Sequence, residues 1–227
     1  MSLAQATLHW LLDASHWRGA EGVPVRVFEH LQVTAVVMLL ALAIAVPIGI
    51  LIGHTGRGVG AAVIVSGGLR ALPTLGVVTL MGIWLGIGLK APVIALVILA
   101  IPPPLAGLYA GIRAVDRDVV DTARAIGMTE WGIIREVELP LAAASILAGV
   151  RSATVQVVAT VTVAAYIADA GLGRYIIEGL RTRAYDEMLG GSVLVITLAV
   201  LLDAAYALLA RVVRPHGRQS PNRRTRP

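Results

Sequence analysis

The stretch DTARAIGMTEWGIIREVELP, from Asp121 to Pro140, decides how the rest of the chain is interpreted. It is a polar, charged segment between two long apolar runs. It contains an acidic-x-Ala triplet that ends at Ala123, a glycine at Gly127 and a Leu139-Pro140 pair at its end. A polar loop of this length in an apolar chain is more typical of a surface that binds a partner than of a simple connection.

The composition predicts a polytopic membrane protein of the all-α class. Of the 227 residues, 57% are hydrophobic and 15% are charged, and the mean hydropathy is +0.80. A soluble domain of this length carries more charge and fewer apolar runs. The formal charge of +5 is explained by the arginines after the last apolar run, which favour retention of that end in the cytoplasm. Nucleic acid is therefore not an expected partner.

The sequence lacks the residues that several kinds of binding and catalytic site require. The sequence has no cysteine, which excludes disulfides and cysteine-ligated metals. It has no glycine loop that ends in Gly-Lys-Ser/Thr, so we do not expect the usual kind of ATP site. The five histidines show no metal-ligand spacing, and no nucleophile–base set is visible. We therefore expect neither an enzyme nor a metal or cofactor site.

Apolar runs predict five membrane spans, since a helix needs about 20 apolar residues to cross a bilayer. The run at 59–69 is too short and is interpreted as an elbow that leads into the second span; the alternative is one long kinked helix. Three prolines, 102–104, fall inside the third span and predict a strong kink or an unwound segment. The predicted spans are residues 31–52, 72–89, 93–112, 141–167 and 188–210.

The flanks of this membrane domain, residues 31–210, set the predicted orientation. Residues 1–30 predict a short interfacial helix outside the membrane, with a floppy tail as the alternative. Residues 211–227 form a basic tail, which favours the cytoplasm. With five spans, the N-terminus then lies outside, and the loop at 113–140 lies inside, where a cytoplasmic partner could reach it.

Capping residues predict two short helices in the loop. Asp116 can cap a helix that begins near Arg117, and Gly127 suits the left-handed position that ends it. Thr129 is expected to cap a second helix that runs to about Val137.

The end of the loop and its apolar residues carry further predictions. A residue before proline prefers an extended backbone, so Leu139 is expected to be extended and Pro140 to open the fourth span. Apolar side chains in an exposed loop predict a docking patch; the alternative is a loop packed on its own bundle. The patch comprises Ile126, Met128, Trp131 and Ile134.

The stretch resembles the EAA loop of ABC-importer permeases, in which an acidic residue and alanine precede a glycine at a fixed interval and Leu-Pro closes the loop. Asp121 stands for the usual glutamate and Thr122 for the usual alanine. The resemblance implies that the loop transmits the action of a cytoplasmic ATPase. The residues it assigns to this coupling are Asp121, Ala123, Ile126, Gly127, Met128, Trp131, Leu139 and Pro140.

Further stretches along the chain resemble one subfamily, the permeases of osmoprotectant importers for glycine betaine, carnitine, choline or related quaternary amines. The resemblance covers about residues 25–210 and implies a type I importer with a second permease, identical or homologous, cytoplasmic ATPases and a separate binding protein outside. The alternatives are a permease for methionine-like amino acids and, less favoured, a transporter without an ATPase. The stretches are YAGIRAVD (109–116), GMTEW (127–131), VELPL (137–141) and ADAGLG (168–173).

Ionisable residues inside spans tend to face a cavity, another helix or another subunit. Arg151 and Asp203, in the fourth and fifth spans, are hypothesised to pair; a separate role at a dimer or pathway surface is the alternative. Thr154, Gln156 and Thr160 could line a translocation path with them, or simply form hydrogen bonds between helices.

The segment after the fourth span is expected to face the binding protein. It is rich in glycine and mixed in charge, and a plain connecting loop is the alternative. The predicted contact residues are Asp169, Gly171, Gly173 and Arg174.

Overall fold

The computed structural model describes residues 2–213, and these residues form helices and turns without a strand. The all-α prediction is confirmed for this part of the chain. A 3₁₀ turn at Ala14–Trp17 follows α1, and a π-helical turn at Ile134–Glu138 joins α8 to α9. The α-helices are α1 (Leu3–Leu12), α2 (Val23–Thr55), α3 (Val59–Ala71), α4 (Thr74–Leu85), α5 (Lys90–Ala100), α6 (Pro102–Arg113), α7 (Arg117–Ala125), α8 (Glu130–Ile133), α9 (Leu139–Ala164), α10 (Gly173–Thr182) and α11 (Tyr185–Val213).

Four helical segments of the described chain are long and apolar enough to cross a membrane, and the number is five if a bent pair of helices counts as one span. The four are α2, α5 with α6, α8 with α9, and α11. The bent pair is α3 and α4, which meet at 86°. The break falls at Pro73, the residue that precedes α4. The elbow is confirmed, and the helix at the predicted second span, 72–89, is shorter than that range, because α4 covers Thr74–Leu85 and is followed by Gly86, where φ is +85°.

The first span begins earlier than predicted, at Val23 instead of residue 31. Pro24 occupies the first turn of α2, where its missing N–H has no intrahelical acceptor in any case. Polar residues suggested a later start, but they are satisfied inside the protein. Arg26 pairs with Glu29 at 3.0 Å, and both ring nitrogens of the buried His30 lie within hydrogen-bonding distance of other residues.

The predicted N-terminal helix is present as α1. Ser2 and Gln5 form a reciprocal capping box at its start. Trp10 is buried against the end of the bundle, whereas Leu8 and Leu12 are exposed. A location at the membrane interface stays a prediction. The predicted basic tail lies mostly outside the described residues.

The three consecutive prolines disturb the third span less than predicted. α5 and α6 are separated by one residue, Ile101, which keeps helical backbone angles of φ −62° and ψ −43°. The prolines occupy the first turn of α6, where proline is tolerated. The side-chain amide of Gln156 on α9 donates to the Leu99 carbonyl at 3.1 Å. In a regular helix the N–H of residue 103 would donate to this carbonyl, but Pro103 has no N–H. The amide of Gln156 takes its place.

α6 packs between α2 and α9, and its contact with α9 is a contact of backbones. A Cβ atom added at Gly149 would lie 2.7 Å from the carbonyl oxygen of Pro103. One added at Gly107 would lie 2.7 Å from the carbonyl oxygen of Ser145. Only glycine fits at these two positions. The adjoining core of α2, α5 and α9 is built mainly from small and β-branched residues, including Val33, Val37, Ala41, Ala153, Val157 and Val161.

We expect Gly149→Ala to lower the free energy of unfolding by about 1 to 3 kcal/mol, because overpacking of a close contact forces backbone shifts. Gly67→Ala is the matched control, since Gly67 is also helical but has nothing within 4 Å of an added Cβ. The control should be neutral or stabilise by up to about 1 kcal/mol. Thermal unfolding in detergent compares the two variants. Equal unfolding temperatures would contradict the close α6–α9 contact.

Candidate functional site

The polar loop folds as two short helices around a glycine turn, as predicted. Asp116 accepts the N–H of Asp118 at 3.0 Å and caps α7. Gly127 follows α7 with φ +88°, a conformation that glycine adopts without strain. The Thr129 hydroxyl accepts the N–H of Gly132 at 3.2 Å and caps α8.

The loop has a small core of its own, which removes part of the predicted docking patch. Met128 packs against this core, and Ile134 is half-buried, so these two side chains are not freely exposed as predicted. Ile126 and Trp131 are 75% and 65% exposed. The exposed patch is therefore narrower than predicted. The core consists of Val115, Val120, Ala123 and Ile133, with Met128 and Val137 at its edge.

The predicted break at Leu139-Pro140 is wrong. Leu139 is helical, with φ −63° and ψ −45°, and the helix runs from Glu130 to Ala164 through the π-helical turn. A π-helical turn shifts the hydrogen-bond register by one residue. Pro140 sits just after this turn, within the first turn of α9, where its missing N–H is tolerated. The second loop helix and the fourth span are consequently one continuous rod.

Charged side chains hold the two loop helices together. Arg124 on α7 makes two bonds to the Glu130 carboxylate on α8, at 2.8 and 3.0 Å, and one to Asp121 at 3.0 Å. The hydrogen bonds that Arg124 donates to Glu130 raise the pKa of Arg124 further above its usual value, so this cation is permanent. Asp121, the acidic residue of the quoted triplet, is bound to Arg124 within the loop and stays exposed at its surface.

The hypothesised pair of Arg151 and Asp203 is present in the structure. The Nε and Nη2 atoms of Arg151 donate to the two carboxylate oxygens of Asp203 at 2.6 and 2.7 Å. The pair joins α9 to α11 and lies at an open groove of about 480 Å³. Ala148, Ser152 and Tyr206 also line this groove. Both charged side chains are more than one-third exposed in the single chain, although they lie within membrane-spanning helices.

The other polar residues proposed for a path form hydrogen bonds within the bundle. The hydroxyls of Thr154 and Tyr206 lie 3.1 Å apart and link α9 to α11. Gln156 binds α5, as described above. The Thr160 hydroxyl donates to the carbonyl of Gln156, one turn earlier in its own helix. Thr154 and Gln156 thus form hydrogen bonds between helices, as the alternative predicts, whereas the bonds of Thr160 stay within α9. A role in a path stays a prediction for all three side chains.

The glycines of the segment after α9 form a tightly packed corner. Gly171, at φ +71°, donates its N–H to Glu29 of α2 at 2.9 Å. A Cβ at Gly173 would overlap the carbonyl group of Thr162. Both glycines are buried, so they shape the corner, while Asp169 and Arg174 are its more exposed members. Contact of this corner with a binding protein stays a prediction.

A comparison with protein families decides the identity of the fold. Residues 31–216 match the family described as the binding-protein-dependent transport system inner membrane component. The chain belongs to this family. It is therefore a multi-pass membrane permease of the ABC-importer type, and the assignment of the polar loop as its EAA loop stays a prediction.

Curated relatives of this permease come from several bacteria. It is 34% identical over 191 residues to the glycine betaine/carnitine/choline transport system permease protein OpuCB of Bacillus subtilis, covering 84% of this chain and 88% of the relative. It is 31% identical to the choline transport system permease protein OpuBB of the same organism, covering 93% and 97%. It is also 31% identical to the osmoprotectant import permease protein OsmY of Salmonella typhimurium, covering 83% and 80%.

Solved structures place the permease in a known fold. The inward-facing MetNI methionine ABC transporter matches with a TM-score of 0.72 at 22% identity, over 95% of this chain and 100% of the other. An amino acid ABC transporter matches with a TM-score of 0.63 at 18% identity, over 93% and 98%. At such identities the likeness shows the fold alone. The predicted type I importer architecture is confirmed.

Sequence reasoning missed two histidine sites in the permease. His30 is fully buried, with Nε2 2.9 Å from the Val158 carbonyl and Nδ1 accepting the Leu172 N–H at 3.3 Å. His54, near the end of α2, lies between two carboxylates of the loop region, Glu130 and Glu138. The available signal was a histidine near the start or end of an apolar run. The partners of both histidines are at least 76 residues away in sequence, the separation of His54 from Glu130, and spacing does not reveal them.

The pairing of Arg151 with Asp203 can be tested by charge exchange. Arg151→Asp or Asp203→Arg alone leaves like charges facing each other, and we expect a several-fold lower yield of assembled permease. The double exchange restores an opposite-charge pair and should recover much of that yield. Size-exclusion chromatography of the detergent-solubilised protein measures it. A double variant as poor as the single variants would contradict the pair as a link between α9 and α11.

Proposed function

We propose that this permease imports osmoprotectants, namely glycine betaine, choline, carnitine or related quaternary amines. The observation that carries the proposal is the similarity to three osmoprotectant permeases over more than four-fifths of the chain. The permease would act with cytoplasmic ATPases, an extracytoplasmic binding protein and a second permease chain. An amino-acid substrate is the weaker candidate, because its support is a likeness of fold alone.

Coupling to the ATPase is proposed for the loop residues named above, with Ile126 and Trp131 as the apolar anchors. Their exposure is high for large apolar side chains, and they flank the glycine turn. The loop core and the Arg124 bonds stiffen the segment that carries them. A stiff patch loses little conformational entropy when it docks in a partner's groove. Asp121 would add charge at the rim of this contact.

A translocation path is proposed along the groove at Arg151 and Asp203. Charged groups within spans are found where they face a cavity, water or another subunit. The groove is lined by α9 and α11, so a second permease placed against it would enclose the ion pair. Tyr206 offers an aromatic face beside Asp203, and both features suit a passing quaternary ammonium group.

The orientation that suits this function has the N-terminus outside and the loop inside. Arg57, Arg113 and Arg117 cluster at the loop end of the helices, which favours the cytoplasm. The corner with Asp169 and Arg174 then lies at the outer side, where a binding protein would approach.

We expect Trp131→Ala to lower ATP-driven transport by at least about tenfold, since buried aromatic anchors dominate many interfaces. The folded permease should keep its stability, because this side chain is 65% exposed in the single chain. Trp84→Ala is the matched control, since Trp84 is 70% exposed on α4, away from the loop. Binding of the ATPase to the detergent-solubilised permease and uptake into proteoliposomes are measured for both. Equal losses in the two variants would count against the loop as the docking site.

The substrate class is tested by uptake of labelled glycine betaine into proteoliposomes that hold the permease, its ATPase and its binding protein. We expect uptake that requires ATP and is competed by choline or carnitine, but not by methionine. ATP hydrolysis stimulated by the binding protein, without betaine uptake, would keep the importer and reject the osmoprotectant assignment.

A further inference from the structure

A line of charged side chains joins the polar loop to the end of the first span. The Nδ1 atom of His54 lies 2.8 Å from a carboxylate oxygen of Glu138, and Nε2 lies 3.1 Å from one of Glu130. Arg124 and Asp121 continue the line into α7. His54 therefore touches both ends of the segment that leads from the loop into α9.

The two contacts of His54 need one more proton than a neutral imidazole carries. An ionised carboxylate only accepts hydrogen bonds, and a neutral imidazole has a single N–H. Two contacts with carboxylates therefore require a second proton, on the imidazole or on a carboxylate. Glu130 accepts two bonds from Arg124, which favours its ionised form. The additional proton is consequently shared between His54 and Glu138.

The burial of Glu138 explains why the site would hold this proton. Its side chain is fully buried, and its Oε1 atom has no hydrogen-bond partner within the described part of the chain. A buried carboxylate with an unpaired oxygen is costly as an anion unless a cation or proton accompanies it. The charged groups around His54 are the two glutamates, Arg124 and Asp121 beyond Glu130, and Arg113, which donates to the Gly56 carbonyl at 3.4 Å.

We propose that His54 is a positioning residue of the polar loop, and that the proton it shares with Glu138 fastens the loop to α2. With the proton bound, His54 donates to both carboxylates. Without this proton, the imidazole can donate to only one of the two carboxylates, and the buried carboxylate of Glu138 has no positive charge or proton to offset its own charge. Raising the pH therefore loosens the loop, and lowering the pH fastens it. The consequence for transport rests on the proposed coupling role of this loop.

The first test measures the mobility of the loop. Because the chain has no cysteine, Ile126→Cys carries a single spin label on the exposed loop, and Ile87→Cys carries one at a distant exposed control site. We expect the label at 126 in the full-length permease to become more mobile as the pH is raised. The label at 87 should not respond. Electron paramagnetic resonance spectra in nanodiscs report both.

Two variants separate a shared proton from plain packing. In His54→Gln both donor hydrogens sit on one amide nitrogen, which cannot take the places of Nδ1 and Nε2 together. The amide also cannot carry the shared proton, so the label should be mobile across the whole pH range. In Glu138→Gln the new amide donates to a neutral His54, whose other nitrogen still donates to Glu130. The label should then stay immobile across the range. If His54→Gln does not fold, Glu138→Gln alone decides. The proposal would be overturned if the mobility of the label at 126 did not change with pH when His54 and Glu138 are both present. It would also be overturned if the label in Glu138→Gln showed the same change with pH.

The second test measures transport per ATP hydrolysed in the reconstituted complex. We expect this ratio to fall with rising pH in the wild type and to be about tenfold lower in His54→Gln, as for loss of a charge-assisted hydrogen bond. His9→Gln, on the exposed face of α1, is the control and should follow the wild type. The spin-label test needs neither ATPase nor substrate. A complex that transports no osmoprotectant but shows the expected spectra would reject the proposed substrate and support the link at His54.

Discussion

The fold depends on the close approach of α6 to α9. At Gly107 and Gly149 the two backbones touch, and no side chain larger than a hydrogen atom fits between them. Lipid provides no hydrophobic driving force between helices, so van der Waals contact over small residues is a main source of attraction. The same approach brings Gln156 within reach of the carbonyl that Pro103 leaves without a donor. The contact of small residues therefore also satisfies the backbone around the prolines.

A second regularity concerns charge in the apolar helices. Arg151 bonds Asp203, Arg26 bonds Asp169, and His54 lies between two glutamates. Each pair joins helices or segments that are distant in the sequence. The pairs lie at different ends of the bundle, one at the loop, one at the corner after α9 and one along the groove. Ionic contacts thus fix which helices meet where apolar packing alone would allow several arrangements.

The sequence was sufficient for the features that depend on local chemistry. The caps at Asp116 and Thr129 and the turn at Gly127 are formed by residues within a few positions of one another, so their geometry follows from residue type. The break predicted at Leu139-Pro140 is wrong because a π-helical turn directly precedes this pair and the helix continues through it. No capping pattern in the sequence indicates such a turn. Met128 was predicted to be exposed, but the loop has its own core. Contacts of His54 with residues far along the chain needed the structure, because only the fold brings them together.

The unbroken helix from Glu130 to Ala164 has a mechanical consequence. Its 35 residues span about 50 Å at 1.5 Å per residue, and its close contact with α6 at Gly149 lies near the middle. A rod held at its centre behaves as a lever. A tilt of about 5° around Gly149 would carry the loop end roughly 2 Å one way and the opposite end roughly 2 Å the other way. A push at the loop end would thus move the two ends of this helix in opposite directions, without bending any helix.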